Sequence, residues 1–395
     1  MQEDGLQRPI TPRWEQTVCH LMNITVISIQ ASATNSRITG TDGQSESLRG
    51  IARVLAKEHD VSVCALTAVS PWKKALRFRH VRSCIEKTDP DVVHLMLPTP
   101  NFFWIGEWVA KCIDQPVVVG FNASLIRNIE FFRSSVRPSH APWIGKKVLV
   151  NHSVLGRGLT TIFRPKHVDT FVVSSAYQRQ QLQAIGISIP VAVVPNHSTL
   201  ESRHDQSIHC AYNFERDDER VVFGYLGHVQ PSKGVSDVIE SVDNLRDEVK
   251  LAIAWSGGGL NPSQFVGDDV DNVSIYGIVN KRSFFEYIDA LVLPYRFAFG
   301  TQIFPNTLLE AIRFGLPVIT SDLPYMDEIL SDGRDALLFP PGCQSELTAT
   351  LERFATNPEL RDRLTKNAEN VDNPPGEAET RQQLTSIFAG AIDRS

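Results

Sequence analysis

Three absences narrow this chain before anything present in it is considered. Its six cysteines, Cys19, Cys64, Cys84, Cys112, Cys210 and Cys343, lie far apart, with no C-x-x-C pair and no histidine at zinc-finger spacing. Several sit inside apolar runs, as reduced core cysteines do, so neither a disulfide framework nor a structural metal is expected. A basic excess is missing as well: the formal net charge is -6, which argues against a general nucleic-acid binder. No apolar run approaches the ~18 residues of a membrane span. The start, MQEDGLQRPITPRWEQTVCHL, carries acids and no apolar centre, unlike a signal peptide, and reads as a disordered leader over residues 1–21. A cytoplasmic protein is the expectation. Self-contained catalytic signatures are absent too: no G-x-S-x-G, no H-E-x-x-H and no P-loop lysine-serine pair.

What is there is alternation. A chain of 395 residues exceeds one ordinary core, and 42% hydrophobic with 21% charged residues is globular composition. From Met22 onward NITVISIQ, VSVCAL, DVVHLML, PVVVGF and TFVVSS read as strands, and SLRGIARVLAKEHD reads as a helix with Leu48, Ile51, Ala52 and Leu55 on one face. Unbroken apolar strands separated by helices mean a parallel sheet covered on both sides. The charged, aperiodic stretch 196–220 suits a linker. Beyond it RVVFGYLG, KLAIAW, VSIYG and the FFEYIDALVLP segment start a second series of the same kind. The fold class is therefore α/β, with two doubly wound, Rossmann-like domains over 22–195 and 221–373. Such domains leave a cleft at the carboxyl ends of their strands, where ligands bind.

Three segments carry chemistry. YLGHVQPSKG, Tyr225 to Gly234, follows a strand and precedes a helix, so Gly227, His228 and Lys233 meet the positive end of that helix, a combination that attracts phosphate. An exposed loop with a solvated lysine is the plainer alternative. ITGTDGQSES, with Gly43, holds the corresponding place in the first domain. FPNTLLEAIRFGLPVITSD opens a helix with Pro305, Asn306 and Thr307, closes it at Gly315 and runs on into a strand. Thr307 with Glu310 three positions later also fits a capping box, in which the carboxylate only returns to the helix start. Both readings of Glu310 stay open at this level.

Taken together these segments resemble the GT-B glycosyltransferases of the large retaining family often called family 4. DGQSESLRGIARVLAKEHDVSV is similar to that family's first loop and helix, and PDVVHLMLP to its second-strand signature. VDTFVVSSAYQRQQLQAIGISIPVAVVPNH resembles its approach to the interdomain hinge, GYLGHVQPSKG its pyrophosphate loop, and PNTLLEAIRFGLPVI its donor-binding helix. The resemblance implies a GT-B architecture with a central cleft and a last segment, 374–395, whose helix returns to the first domain. It also implies a nucleotide-sugar donor, retention at the anomeric carbon, and no metal or other cofactor. Carried over residue by residue, Lys233 would stabilise the departing diphosphate, Asn306 and Thr307 would aim amides at phosphates, and Glu310 would accept from ribose hydroxyls.

Three positions depart from that pattern. His228 stands where the family has an arginine, Gln302 where it has the first acid of an E-x7-E pair, and Asn122 where it has a histidine near the donor sugar. Each substitute still hydrogen-bonds, so altered donor recognition is expected more than lost activity. The catalytic set is then Lys233, His228 and Asn122, and the donor-binding set Gly43, Gly227, Gln302, Asn306, Thr307 and Glu310. Base contacts are expected around Trp255 to Gly259. On the acceptor side, the segment 127–166 is basic with interleaved aromatics and suits a glycan or lipid-linked acceptor and peripheral membrane contact; a solvated helix with Phe131, Phe132 and Trp143 in the core is the alternative. Two rivals to sugar transfer stand beside this reading. One is a degenerate GT-B protein that binds a nucleotide sugar or glycan without turnover, and the other is a GT-B phosphorylase or epimerase.

Overall fold

The structure is a computed structural model that describes residues 21–28, 33–34, 37–38, 43–65, 74–98, 100, 103–123, 165–196, 212, 214–216, 219–255, 257–298, 302–369 and 376–395. Of the expected leader only Leu21 falls in that set, and of the basic 127–166 segment only Pro165 and Lys166.

The first half builds a six-stranded sheet from β1 (Asn23–Ser28), β4 (Asp60–Ala65), β5 (Val92–Leu97), β6 (Val117–Phe121), β7 (Thr170–Val173) and β8 (Val191–Val193). Two short strands, β2 (Ala33–Thr34) and β3 (Arg37–Ile38), pair antiparallel just after β1. All six sheet strands run parallel in the order β4-β1-β5-β6-β7-β8. The second half repeats the plan with β9 (Val221–Leu226), β10 (Val249–Ala254), β11 (Val273–Tyr276), β12 (Ala290–Leu293), β13 (Val318–Ser321) and β14 (Ala336–Phe339). These are also parallel throughout, in the order β11-β10-β9-β12-β13-β14.

Those orders locate the ligand crevices. Counted along the chain, the second sheet reads 3-2-1-4-5-6, the dinucleotide-fold order, so its direction reverses between β9 and β12. Loops leaving those two strands diverge to opposite faces and open a crevice. Only Phe223 and Gly224 of β9 pair with β12, so the two strands separate early. The first sheet reverses between β1 and β5.

Burial explains why the strands read as solid apolar runs. Every residue of β5, β6, β7, β12 and β13 is buried, as a strand covered on both faces must be. On one face of the second sheet lie the helices Lys281–Tyr287 and Asn306–Phe314, contributing Phe284, Phe285, Leu308 and Leu309. Val235–Asp243, Gln344–Thr356 and Pro358–Ala368 cover the other through Val238, Val242, Leu351 and Phe354.

The chain's last helix, Glu377–Ile392, belongs to the first sheet's packing. Leu384, Phe388 and Ala391, spaced i, i+4, i+7, enter the core with Ile24, Val26, Met96 and Val118. Each such large side chain contributes roughly 1.5–3 kcal/mol by leaving water. Polar links fix its register: Arg381 to Glu58 at 2.8 Å, Thr385 to His59 at 2.8 Å, Arg394 to Thr170 at 3.0 Å, and a Lys57–Glu377 ion pair.

The described part of the linker is docked. Phe214 lies against Tyr276, Phe284 and Tyr287, and Arg216 pairs with Asp289 at 2.6 Å, so this end of the 196–220 stretch is part of the second domain's surface. Aperiodic charge hid an aromatic anchor.

The halves also touch directly. Ala123 and Gln302 form an antiparallel bridge, Ile303 donates its amide to the Asn122 carbonyl at 2.9 Å, and the Asn196 amide donates to the Ile303 carbonyl at 3.1 Å. On another side, Glu328 of the second half accepts from the amides of Ala176 and Tyr177, both at 2.8 Å. Those amides open the first-half helix Ala176–Ala184, where a carboxylate meets unsatisfied donors and the positive dipole end together.

Candidate active site

The cleft at the β9–β12 reversal is about 890 Å³, lined by Leu226, Gly227, His228 and Lys233 on one side and by Gln302, Pro305, Asn306 and Thr307 on another, with Ala254, Gly277, Ile278, Val279 and Lys281 completing it. Two helices begin at its wall: Val235–Asp243 after the β9 loop and Asn306–Phe314 after the β12 loop. Their first amides have no partner within the helix, which makes this wall electropositive.

The β9 loop is held from several directions. The buried Tyr225 hydroxyl donates to the His228 carbonyl at 2.7 Å, and burial pushes the Tyr225 phenol up, so it stays a donor at working pH. Pro231–Lys233 forms a short 3-10 turn that ends at Gly234, whose φ of 63° is left-handed. A β-carbon there would stand 2.0 Å from the Pro294 carbonyl oxygen, so only glycine lets the loop lie against the start of the β12 loop. From that second loop Arg296 reaches back: its guanidinium makes a two-pronged buried pair with Asp237, Nε to Oδ2 at 2.6 Å, while its amide donates to the Ser232 carbonyl at 2.9 Å. A planar fork on a carboxylate fixes orientation as well as distance.

Lys233 is the charged centre of this loop. Its ammonium lies close over Gly227, where a β-carbon would be 3.6 Å from Nζ. Shielding from water pushes its pKa down to about 8. A lysine in that condition gains from any anion that enters the cleft. His228 lines the cleft with its ring flat over Gly258; a β-carbon on Gly258 would be 2.6 Å from that ring.

Of the expected base-binding stretch, Trp255 and Gly257–Gly259 are described, and they do not line the cleft. Val229 donates to the Gly258 carbonyl at 3.1 Å, Leu260 donates to the Val229 carbonyl at 2.7 Å, and the Trp255 indole donates to the Gly258 carbonyl at 3.0 Å. This strap braces the His228 loop. The cleft wall beyond Lys233 is instead Gly277–Val279, with Ile278 72% exposed, and Lys281. The Gly277 amide donates to the Tyr212 hydroxyl at 3.1 Å.

Gln302 joins three elements. Its Nε2 lies 3.1 Å from Ser47 Oγ, on the first-half helix Gly43–Leu55, and 3.4 Å from Asn306 Oδ1 at the start of the second-half helix. Gly43 is the first residue of that first-half helix. The following Phe304 holds φ of 47°, uncommon without glycine, and is buried against Tyr325. Strained backbone of this kind collects at functional sites. Asn122 is buried beside this joint and lines a separate, narrow recess with His94, Ser174, Asn196 and Thr380. The cleft of Lys233 is not lined by Asn122.

The capping box does not form. The helix is capped by Pro305 with no side-chain bond, which puts Glu310 five residues in rather than three, out of reach of the helix start. Glu310 is fully buried, and its Oε1 accepts from the Lys281 ammonium at 2.7 Å. It is Lys281, with 30% of its side chain exposed, that reaches the cleft. Nothing in the sequence pairs these residues, which stand 29 positions apart.

Comparison with known proteins agrees with this geometry. Residues 213–371 match the family model for glycosyl transferases group 1. Phosphatidyl-myo-inositol mannosyltransferase of Mycobacterium leprae is 26% identical over 292 residues, covering 72% of this chain and 69% of its own. The second half carries a glycosyl transferases group 1 domain, and the chain is a glycosyltransferase of GT-B fold. In fold, this glycosyltransferase is similar to sucrose-phosphate synthase of Thermosynechococcus elongatus (TM-score 0.69, 14% identity, 94% of this chain and 99% of the other). It is also similar to Anabaena HepE in complex with UDP-glucose (TM-score 0.66, 12% identity, 93% and 100%). Among the described residues of the glycosyltransferase no helix is long and apolar enough to cross a membrane.

Proposed function

We propose that this glycosyltransferase moves a sugar from a nucleoside diphosphate donor to an acceptor hydroxyl, with retention at the anomeric carbon and without a bound metal. The observation that carries this reading is the convergence, in one cleft, of the Lys233 ammonium, His228 and the starts of two helices. Backbone amides and a desolvated cation together suit a diphosphate. The UDP-glucose named with the HepE structure supports the donor class, and the mannosyltransferase relative supports sugar transfer.

In this reading the bond between the anomeric carbon and the diphosphate oxygen breaks while the acceptor oxygen bonds to the same face of that carbon. The acceptor's proton passes to the departing phosphate oxygen, so no protein base is consumed. Charge grows on the diphosphate as it leaves. Lys233, His228 and the amides at Asn306 and Thr307 oppose that charge from fixed positions, which lowers the barrier because they need no reorganisation. Gln302 ties the start of the Asn306 helix to Ser47 of the opposite domain, and Glu310 serves the nucleoside side. The acceptor's class, a glycan or a lipid-linked glycan, rests on the basic character of 127–166 and on the lipid named in the mannosyltransferase relative.

Thermal melting with UDP, GDP and ADP tests the donor: a ligand that binds only the folded state at about 100 times its Kd adds about 2.7 kcal/mol. One nucleotide should raise the melting point well above the others. Nuclear magnetic resonance of the product made from the matching nucleotide sugar should then show the donor's anomeric configuration. No stabilisation by any of the three would sink the donor assignment, and an inverted product would sink retention.

A further inference from the structure

One residue of the stretch that joins the halves reaches the cleft wall from behind. The Tyr212 hydroxyl accepts from the Gly277 amide at 3.1 Å, and Gly277 lines the cleft with Ile278 and Val279, whereas Tyr212 itself does not. The strand that ends at Tyr276, β11, is the outer strand of its sheet, and an outer strand leaves amides without a neighbouring strand to pair with. Tyr212 takes the one just past its end. A β-carbon on Gly277 would stand 3.0 Å from the same hydroxyl, so the phenol fills the space that a side chain there would claim.

Packed rings set the place of this phenol. Its ring meets Tyr276 edge-on at 5.5 Å and Phe214 at 6.1 Å, and Phe214 stacks on Tyr287 at 5.1 Å. At the other end of the wall Asn280 caps the helix Lys281–Tyr287, its side chain accepting from the Ser283 amide at 3.0 Å. Gly277–Val279 is thus pinned at both ends.

The wall's place along the donor follows from the sheet. Phosphates belong at the helix starts beside β9 and β12, so the nucleoside runs toward β10 and β11, along Gly277–Val279. We propose that Tyr212 is a positioning residue for the donor's nucleoside: its hydroxyl fixes the Gly277–Val279 wall and with it the main-chain groups that the wall offers to a nucleobase. This rests on the donor reading above and assigns part of donor selection to the segment between the halves. A nucleobase edge is rigid and planar, so it is matched by donors and acceptors whose spacing is already set, and a wall that must first be ordered gives up that cost in affinity. The diphosphate depends instead on Lys233 and the two helix starts, so the hydroxyl bears on one end of the donor only.

Tyr212→Phe keeps the ring in its cluster and deletes only the hydroxyl. Its melting point should stay near that of wild type. Calorimetry with UDP, GDP, ADP and inorganic pyrophosphate tests the assignment. The nucleoside diphosphate that wild type binds best should bind the variant ~3- to 10-fold more weakly, the scale of one hydrogen bond, while inorganic pyrophosphate binds both proteins alike. With the matching nucleotide sugar, donor KM should rise by a similar factor at unchanged kcat, the mark of binding shared by ground and transition states. Wild-type affinity for the nucleoside diphosphate in Tyr212→Phe overturns the assignment and leaves the donor reading standing. An equal loss for pyrophosphate, or a loss in kcat, also overturns it, because the hydroxyl would then brace the whole cleft. A wild type that binds no nucleoside diphosphate brings down the donor reading and this assignment together.

Discussion

The two halves of this glycosyltransferase share a plan and differ in what they bring to their meeting point. Each is a six-stranded parallel sheet with one reversal of direction. At the second half's reversal stand charged groups under restraint: Lys233 half-buried over Gly227, Arg296 locked on Asp237, and Lys281 locked on Glu310. The described residues that the first half brings to the joint are neutral: Ser47, the Asn122 carbonyl and Asn196. The contrast has a physical sense. A diphosphate leaving group always carries the same charge and needs fixed countercharge. An acceptor hydroxyl needs only shape and hydrogen bonds, which neutral groups supply.

Breaking the second half's restraint should have the largest effect. Arg296→Met strands the buried Asp237 carboxylate, and loss of one partner of a buried pair costs about 3–5 kcal/mol. Urea denaturation should reveal that loss, and a wild-type midpoint would mean the pair is not a brace. Next comes the contact between halves. Glu328→Ala removes an ionised acceptor from two amides, at about 1.5–3 kcal/mol for hydrogen bonds to a charged group. Limited proteolysis should then cut near residues 176 and 177 sooner, while nucleotide affinity changes little.

Lys233→Ala should lower turnover at least ~10-fold, or about 1.4 kcal/mol of barrier, at neutral pH. The same lysine gives a pH signature. Its folded pKa, about 8, lies below lysine's ordinary 10.5, because burial disfavours the charged form. Below pH 8 the folded protein carries the charge at a cost, and between about pH 8 and 10.5 the unfolded chain holds the extra proton, so this group's contribution to stability rises with pH there. Diphosphate prefers the protonated form, so affinity should fall as pH rises past 8. Both trends should vanish in Lys233→Met; trends that persist there would assign them to another group. The smallest effect belongs to the neutral joint. Gln302→Ala should cost about 0.5–1.5 kcal/mol in stability, the scale of one hydrogen bond, with a modest rise in donor KM. A change in kcat as large as that of Lys233→Ala would put Gln302 on the reacting atoms and erase the distinction between restrained charge and neutral joint.

How much of this could be read from residues alone depended on distance along the chain. The β9 loop was legible because its parts, Tyr225 to Gly234, are consecutive: strand, glycine, proline turn, lysine, helix. Strands such as VVHLML announced burial on both faces by their unbroken apolar run. The linker was less legible, since Tyr212 and Phe214 anchor it by contacts with Gly277, Tyr276 and Tyr287 that no local pattern encodes. The capping box stayed open as a reading of Glu310 because a three-residue spacing from Thr307 says nothing about where the helix begins. That point was set by Pro305.

The sequence by itself determined the alternation of buried strand and helix, the division into two halves and the strand, glycine, lysine, helix order of the Gly227–Gly234 loop. All three are consequences of periodicity and of side-chain chemistry within a few residues. Tertiary structure alone decided that Gln302 meets Ser47 across 255 residues, that Arg296 braces Asp237, and that Lys281 stands between Glu310 and the cleft. Charge pairs of that kind form only when packing removes water from both partners, and which partners packing brings together is not written in either one's neighbourhood.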